Sequence, residues 1–231
     1  MNTKAKALRA AFPHTLPVLT GYLVLGTAYG IILSSKGYSF VWSALTSIFI
    51  YAGSMQFVSV SMLAAGFHPF YAFIMTLMVN ARHLFYGISM LSVFRNTGKK
   101  KPYLIFGLTD ETFSLLCSTT VPAGIDKGWF MFFITLLDQM YWVSGSVLGS
   151  IIGNFIRFNT KGIDFALTAL FIVIFINQWK STKNHIPVLT GLTASILCRI
   201  LFGASNFIIP SMLVILVIVT VFQTKIESRS E

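Results

Sequence analysis

Five charged side chains lie inside long apolar stretches of the sequence, and their positions make them the first candidates for chemistry. They are Arg82, Asp110, Glu111, Asp138 and Arg199. A charge at the centre of a membrane helix costs at least about 2.5–3.5 kcal/mol on insertion scales, so each needs a partner or water. Such residues usually face the interior of a helix bundle and mark a pathway or a site. The structural alternative is a set of buried ion pairs that only fix the helix positions.

Further polar residues accompany the first of these charges in the stretch Asn80-Ala81-Arg82-His83. On a helix, Asn80 and His83 share one face because they are three residues apart. An arginine here could hold a carboxylate through two hydrogen bonds, and a histidine could exchange a proton near neutral pH. His83 could equally be a neutral histidine within a packed core. Gln56 is another candidate, because it is a polar group inside an apolar stretch.

Asp110 and Glu111 are adjacent and stand about two turns into the fourth apolar stretch. Neighbouring residues of a helix diverge by about 100°, so we do not expect both carboxylates to serve one ligand equally. We expect one of them to pair with Arg82 or Arg199 and the other to line a cavity, where it could bind and release a proton. The alternative is that both lie at a hydrated helix end.

Asp138 precedes a regular stripe of glycines, Gly145, Gly149 and Gly153, in the fifth apolar stretch. Glycines spaced four residues apart are typical of close contact between membrane helices, so the stripe is interpreted as a packing surface. Asp138 lies seven residues before Gly145 and therefore on the same side of the helix. We expect it to face the bundle.

The composition around these residues is that of a membrane protein. Of the 231 residues, 55% are hydrophobic and 10% are charged, and the mean hydropathy is +0.76. Soluble domains carry about 25% charged residues, so the composition argues against a soluble enzyme. The 22 Phe, 8 Tyr and 4 Trp argue against disorder. The net charge of +10 comes mainly from short Lys/Arg clusters between apolar stretches, as in membrane loops, so we expect a lipid bilayer and no nucleic acid as partner.

Eight stretches are apolar enough to be considered as membrane helices, which need about 20 residues each. They are Leu16 to Ser34, Phe40 to Ala65, Pro69 to Phe94, Tyr103 to Val121, Trp129 to Phe155, Ile163 to Trp179, Ile186 to Gly203 and Asn206 to Gln223. We predict an all-α fold, a polytopic transmembrane helix bundle with 7–8 apolar segments. It forms a single integral membrane domain over residues 1–231, with short polar tails at residues 1–15 and 224–231.

The second segment leaves two alternatives open. Its middle, Tyr51-Ala52-Gly53-Ser54-Met55-Gln56, supplies the glycine and polar groups that a broken or re-entrant helix needs. In a continuous helix, the same small residues would allow close packing. If all eight segments cross, Lys and Arg are divided almost evenly between the two sides. If the second segment returns, Lys99, Lys100 and Lys101 lie on the side of the N-terminus and that side is the more basic.

Motifs of known enzyme classes are missing from the sequence. It contains no His-Glu-x-x-His, no Gly-x-Ser-x-Gly and no P-loop. The four histidines are dispersed, and the two cysteines lie in separate apolar stretches, which argues against a metal or haem centre. We therefore expect a protein that is not an enzyme and that needs no cofactor.

A series of motifs in the first 155 residues resembles the AzlC family, the large subunit of two-component branched-chain amino acid exporters. The resemblance is carried by Phe12-Pro13 through Gly30, by Tyr51 through Phe57, by Asn80 through Tyr86, by Thr109 through Phe113 and by Gln139-x-Tyr141-Trp142-x-x-Gly145. It implies export of leucine, isoleucine and valine across the cytoplasmic membrane. It also implies a small hydrophobic partner of the AzlD type.

We therefore predict a secondary transporter whose site lies where the second to fifth segments meet. Arg82, or a helix N-terminus beside Gly53, would hold the substrate carboxylate, and one of the three intramembrane carboxylates would face the ammonium group. Proton exchange through Glu111 or His83 could drive export. The alternatives are a channel and a non-transporting membrane scaffold.

Overall fold

The structure, a computed structural model, describes residues 3–66, 68–155 and 185–221, together with Ile172, Phe175, Ile176, Trp179 and Lys180. In this part of the chain every element of regular secondary structure is a helix, which confirms the predicted all-α class. The chain divides into two compact units, Met1–Leu167 and Thr168–Glu231. Most of the predicted sixth segment falls outside the described residues.

Unit 1 contains seven α-helices and one short 3₁₀ turn, Gly98–Lys100, among its described residues. The helices are α1 (Thr3–Ser35), α2 (Phe40–Phe49), α3 (Gly53–Ala65), α4 (Pro69–Met90), α5 (Lys101–Phe106), α6 (Asp110–Ser118) and α7 (Lys127–Phe155). Unit 2 contains α8 (Ile186–Asn206) and α9 (Ile208–Val221). Two described helices, α1 and α7, are long and apolar enough to cross a membrane, so the predicted number of crossings stays a prediction.

Helices α1 and α7 run parallel and are in contact over most of their length. At one end, the Lys4 ammonium lies 4.6 Å from the centroid of the Trp129 ring. At the other end, Ser34 Oγ donates a hydrogen bond of 2.8 Å to Asn154 Oδ1. We call the first of these the basic end and the second the far end.

The glycines of α7 allow this close contact, as the sequence predicts. A Cβ atom at Gly145 would lie 2.8 Å from the carbonyl oxygen of Tyr22, and one at Gly149 would overlap with the backbone of Thr27. In α1, Gly26 and Gly30 face the same contact, where added Cβ atoms would meet the backbone of α7. The two helices therefore touch backbone to backbone, with no space for intervening side chains.

Helices α2 and α3 form an interrupted pair that starts from the far end. Ser43 Oγ donates to the carbonyl oxygen of Ser146 at 2.8 Å, and the carbonyl of Ile48 accepts from Gln139 Nε2 at 3.0 Å, so α2 approaches the middle of α7. Residues 50–52 interrupt the helix, and Tyr51 adopts a φ of 45°. Of the two alternatives for the second segment, the broken helix is the one present.

The direction of α3 follows from its contact with α4. Arg82, in the middle of α4, contacts Ser54 in the first turn of α3, and a linker of three residues joins the two helices. Met90, at the end of α4, belongs to an apolar cluster with Ala11 and Phe130 at the basic end. Helix α4 therefore runs toward the basic end, and α3 must lead from the middle back toward the far end.

Helices α5 and α6 form a second interrupted pair that starts from the basic end. Near its start, the Lys100 ammonium lies 4.5 Å from the centroid of the Trp129 ring. Further along, Tyr103 OH donates to Gln139 Oε1 at 2.6 Å, in the middle of α7. After the interruption, Leu116 of α6 packs in the apolar cluster of the basic end. The two pairs therefore approach the middle of unit 1 from opposite ends.

The interruption between α5 and α6 corrects the prediction of a continuous fourth segment. A Cβ atom at Gly107 would overlap with Thr135 Cγ2, so α7 approaches the chain closely there. Thr109 is the N-cap of α6, and its Oγ1 accepts a hydrogen bond of 3.3 Å from the backbone N–H of Thr112. Asp110 and Glu111 are thus the first residues of a helix and do not lie two turns inside one.

We predict that Gly149→Ala lowers the stability of the purified protein by about 1–3 kcal/mol, because the added methyl group forces α1 and α7 apart. Gly21→Ala is the matched control, since no atom lies within 4 Å of a Cβ added there. Thermal unfolding in lipid nanodiscs measures both variants. Equal unfolding temperatures for the two variants would contradict the backbone contact between the helices.

Candidate functional site

An ion pair between Arg82 and Asp110 lies at the centre of the candidate site. Arg82 Nη2 is 2.9 Å from Asp110 Oδ2 and donates a second hydrogen bond of 2.7 Å to Ser54 Oγ. The Arg82 and Asp110 side chains are 29% and 23% exposed, so the pair is partly buried. Since Ser54 stands in the first turn of α3 and Asp110 begins α6, one guanidinium connects both interrupted helices. Of the pairings that the sequence left open, the one present joins Asp110 to Arg82.

Glu111 points to a different neighbour, in agreement with the expected divergence of adjacent carboxylates. Tyr22 OH, on α1, donates a hydrogen bond of 2.7 Å to Glu111 Oε2. The same hydroxyl lies 2.7 Å from Thr109 Oγ1. Glu111 is therefore held against α1, whereas Asp110 is held against α4.

Asp138 is completely buried and is hydrogen-bonded on one side only. Thr112 Oγ1 donates to Asp138 Oδ2 at 2.8 Å, and Asp138 Oδ1 has no hydrogen-bond partner in the described part of the chain. The buried hydroxyl of Tyr51 also has no hydrogen-bond partner among the described residues. A buried carboxylate with a single hydrogen bond is energetically costly unless a proton or a cationic group joins it.

The side chain of Gln56, another predicted site residue, forms hydrogen bonds that join three helices. Its Oε1 accepts from Trp142 Nε1 at 2.9 Å, and its Nε2 donates to Ser47 Oγ at 3.2 Å and to Thr46 Oγ1 at 3.4 Å. The side chain is 1% exposed. Gln56 therefore connects α2, α3 and α7, and its contacts describe a structural role.

Asn80 and His83 lie beside the ion pair and do not bond to its carboxylate. His83 Nδ1 lies 3.3 Å from the carbonyl oxygen of Asn80, within the same helix, and the ring packs edge-on against Tyr86. Asn80 Oδ1 is buried without a partner among the described residues. Arg199 belongs to unit 2, where its guanidinium lies 5.8 Å from the centroid of the Phe207 ring.

Several hydroxyl groups that complete the site were not predicted from the sequence: Tyr22, Tyr51, Thr109 and Thr112. Thr109 carried a usable signal, because a threonine directly before two acidic residues is typical of a helix N-terminus. Tyr22 carried none, since it is separated from Glu111 by 89 positions of the sequence.

The charges of the site do not balance. The site contains three carboxylates, from Asp110, Glu111 and Asp138, and one guanidinium, that of Arg82, which contacts Asp110. In the described residues, no group of three or more metal-ligating side chains could hold a metal ion. The arrangement is instead suited to a zwitterion, whose carboxylate and ammonium groups would meet Arg82 and the excess acids, and to protons.

We predict that Arg82→Gln and Asp110→Asn each destabilise the protein and that the double variant recovers part of the loss, because removing one partner leaves the other uncompensated. The coupling free energy should fall between the about 0–1 kcal/mol of exposed pairs and the about 3–5 kcal/mol of buried ones. Thermal unfolding of the four proteins in nanodiscs gives this value. Strictly additive losses would show that the ion pair has no stabilising role.

Comparisons with known proteins identify the family of the chain. Residues 17–156 match the family described as AzlC protein. The Bacillus subtilis "Branched-chain amino acid transport protein AzlC" is 55% identical over 98% of this chain and 91% of its own length. A Haemophilus influenzae "Uncharacterized membrane protein" is 41% identical over 100% of this chain and 95% of its own.

The Escherichia coli "Inner membrane protein YgaZ" is 30% identical over 85% of this chain and 80% of its own length. No solved structure matches the chain significantly. The family match covers more than half of the chain, and the relatives that are named as membrane proteins align along most of it. The predicted resemblance is thus confirmed, and the chain is a membrane protein that belongs to the AzlC family.

Proposed function

We propose that this chain is a secondary transporter that exports branched-chain amino acids across the cell membrane, coupled to protons and assembled with a small hydrophobic subunit of the AzlD type. The observation that carries the proposal is the group of charged residues at the two helix starts in the middle of unit 1. The printed name of the Bacillus subtilis relative supports the substrate class.

The substrate carboxylate would bind at Arg82. Its Nε is buried and has no hydrogen-bond partner in the described part of the chain, so the guanidinium keeps an unused donor. The start of α3, next to Ser54, adds the partial positive charge of a helix N-terminus. Because Asp110 already contacts Arg82, a substrate would have to share the guanidinium with it or displace it.

The substrate ammonium group would face Asp138. This carboxylate has an unused oxygen, and the buried hydroxyl of Tyr51 is also unpaired among the described residues. The aliphatic side chain would contact the apolar residues of the first turns of α3, Met55 and Phe57, which are both buried. The ammonium group of the zwitterion would offset the Asp138 carboxylate, and its carboxylate would bind the guanidinium. The net charge of the site stays unchanged, so protons compensate the remaining excess of negative charge.

The coupling proton is placed on Glu111 or Asp138, and His83 is less suited to carry it. Both carboxylates belong to the group with excess negative charge, so adding a proton to either of them is energetically favourable. His83 is bonded within its own helix and makes no hydrogen bond to the three carboxylates in the described structure. If one of these acids is protonated as the substrate leaves, the movement of the proton is coupled to the movement of the amino acid.

We predict that Glu111→Gln removes the dependence of leucine transport on a proton gradient, whereas exchange of labelled leucine without a gradient persists. Asp138→Asn should remove this dependence and also weaken exchange, because Asp138 is proposed to face the substrate ammonium group. The measurement uses proteoliposomes that contain the chain and its small partner, with Lys36→Gln as the control variant. Arg82→Gln should raise the leucine concentration for half-maximal exchange about 10–100-fold, through loss of a charged hydrogen bond. Gradient-driven transport that is intact in both acid variants would remove the coupling proposal.

The alternative functions give different results in the same vesicles. A channel would pass solute without saturation, and a scaffold would pass none while tolerating joint neutralisation of Arg82 and Asp110. Saturable exchange of leucine that competes with valine and isoleucine is the result expected from a transporter.

The basic end is proposed to face the cytoplasm. Among the described residues of unit 1, every Lys and Arg except Lys36 and Arg82 lies at this end. Such an excess marks the cytoplasmic side of membrane proteins. In this arrangement, α2–α3 and α5–α6 would be re-entrant from opposite sides of the bilayer.

We predict that a cysteine replacing Lys99 is labelled by a membrane-impermeant maleimide from the cytoplasmic side, and one replacing Lys36 from the opposite side. The background should carry Cys117→Ser and Cys198→Ser, since both native cysteines are free thiols. Inside-out and right-side-out vesicles provide the two orientations. Labelling of both positions from one side would contradict the placement of Lys99 at the basic end and of Lys36 at the far end, on opposite sides of the membrane.

A further inference from the structure

A cavity of about 200 Å³ opens at the basic end, between the turn that follows α4 and the start of α7. Its polar lining includes Ser92, Asn96, Thr97, Lys100, Asp126 and Lys127. Lys127 precedes Asp138 by 11 positions on α7, which corresponds to about 16 Å along a helix axis. The cavity is therefore separate from the candidate transport site.

The lining of this cavity is suited to an anion. Lys100 and Lys127 contribute two ammonium groups, whereas Asp126 is the one acidic group in the lining. Asp126 Oδ1 is already engaged, because it accepts a hydrogen bond of 2.7 Å from the backbone N–H of Trp129. Two lysines beside hydroxyl and amide side chains form a site at which phosphate oxygens find several donors.

Further basic side chains lie around the cavity. The ammonium groups of Lys4 and Lys100 both lie over the Trp129 ring, at 4.6 and 4.5 Å from its centroid. An ammonium group in such a position is attracted by the electrons of the ring. Arg95, Lys99 and Lys101 lie in the same region of the chain and add positive charge of the same sign.

The position favours a lipid phosphate over a soluble one. Trp129 is half-buried and belongs to an aromatic group with Phe132 and Phe133, which is typical of residues at the boundary between headgroups and acyl chains. Leu91, next to Ser92, is 55% exposed and offers apolar surface beside the cavity. The volume is below the roughly 300–1,000 Å³ of pockets that take whole small molecules, which suits a headgroup.

We propose that this cavity binds the phosphate of an anionic phospholipid and thereby connects the start of α7, the turn after α4 and the N-terminal end of α1. Basic pockets between membrane helices commonly bind anionic headgroups. The site does not depend on the proposed transport function.

The test uses the purified full-length protein in detergent, to which phosphatidylglycerol, phosphatidylcholine or inorganic phosphate is added. We expect phosphatidylglycerol to raise the unfolding temperature at low salt and to lose this effect at high salt, while phosphatidylcholine has no effect. The double variant Lys100→Gln/Lys127→Gln should bind phosphatidylglycerol about 30-fold more weakly by native mass spectrometry. Lys36→Gln, at the far end of α1, is the matched control and should bind normally.

Each other outcome overturns the proposal. Equal stabilisation by inorganic phosphate alone would identify a site for free phosphate. Equal binding of phosphatidylglycerol by the double variant and by Lys36→Gln would show that the lipid binds elsewhere. If the glutamine variant fails to fold, Lys100→Arg/Lys127→Arg replaces it, and this charge-preserving variant must retain the salt-sensitive stabilisation by phosphatidylglycerol.

Discussion

The structure depends on one constraint: a helix that stops or starts inside an apolar protein leaves backbone groups that water cannot satisfy. Unit 1 contains two such places, before α3 and before α6. At the second, Thr109 caps the helix and Asp110 places a negative charge at its positive end. Asp110 then needs a cation, and Arg82 supplies it while also binding Ser54 at the start of α3. The two interruptions are therefore stabilised jointly.

The middle of α7 satisfies the remaining groups of both interruptions. Gln139 donates to the carbonyl of Ile48, in the last turn of α2, and accepts from Tyr103 of α5. Trp142, one turn further, donates to Gln56 of α3, and Asp138 accepts from Thr112 of α6. Three polar residues within five positions thus contact all four helices of the interrupted pairs. Interrupted backbone in an apolar interior needs such polar side chains as hydrogen-bond partners.

Much of this arrangement could be predicted from local sequence. The length of α7, the glycine stripe and the burial of Asp138 follow from periodicity, because close helix contact requires small residues at fixed spacing. The break before Gly53 was one of two alternatives, since glycine and serine suit both a break and a packed helix. The break before Asp110 was missed, because the hydropathy of the fourth segment continues across Gly107 and Thr109.

The contacts that complete the site could not be predicted, because they join residues far apart in the sequence. Nothing in the surroundings of Tyr22 indicates that its hydroxyl meets Glu111, and the pairing of Arg82 was left open between two acids. Such choices depend on how helices are placed against one another. The sequence shows which buried charged residues need a partner, and the fold determines which residue that partner is.

The opposed approach of the two interrupted pairs has a mechanical consequence. Since α1 and α7 touch backbone to backbone, they form a rigid frame, and displacement is easier for α2–α3 or α5–α6. Moving one pair away from the centre would expose the central charged residues toward one end of unit 1. The other pair would still cover them toward the opposite end. Because Arg82 contacts the starts of both α3 and α6, such a displacement would break one of its two contacts and leave the other in place.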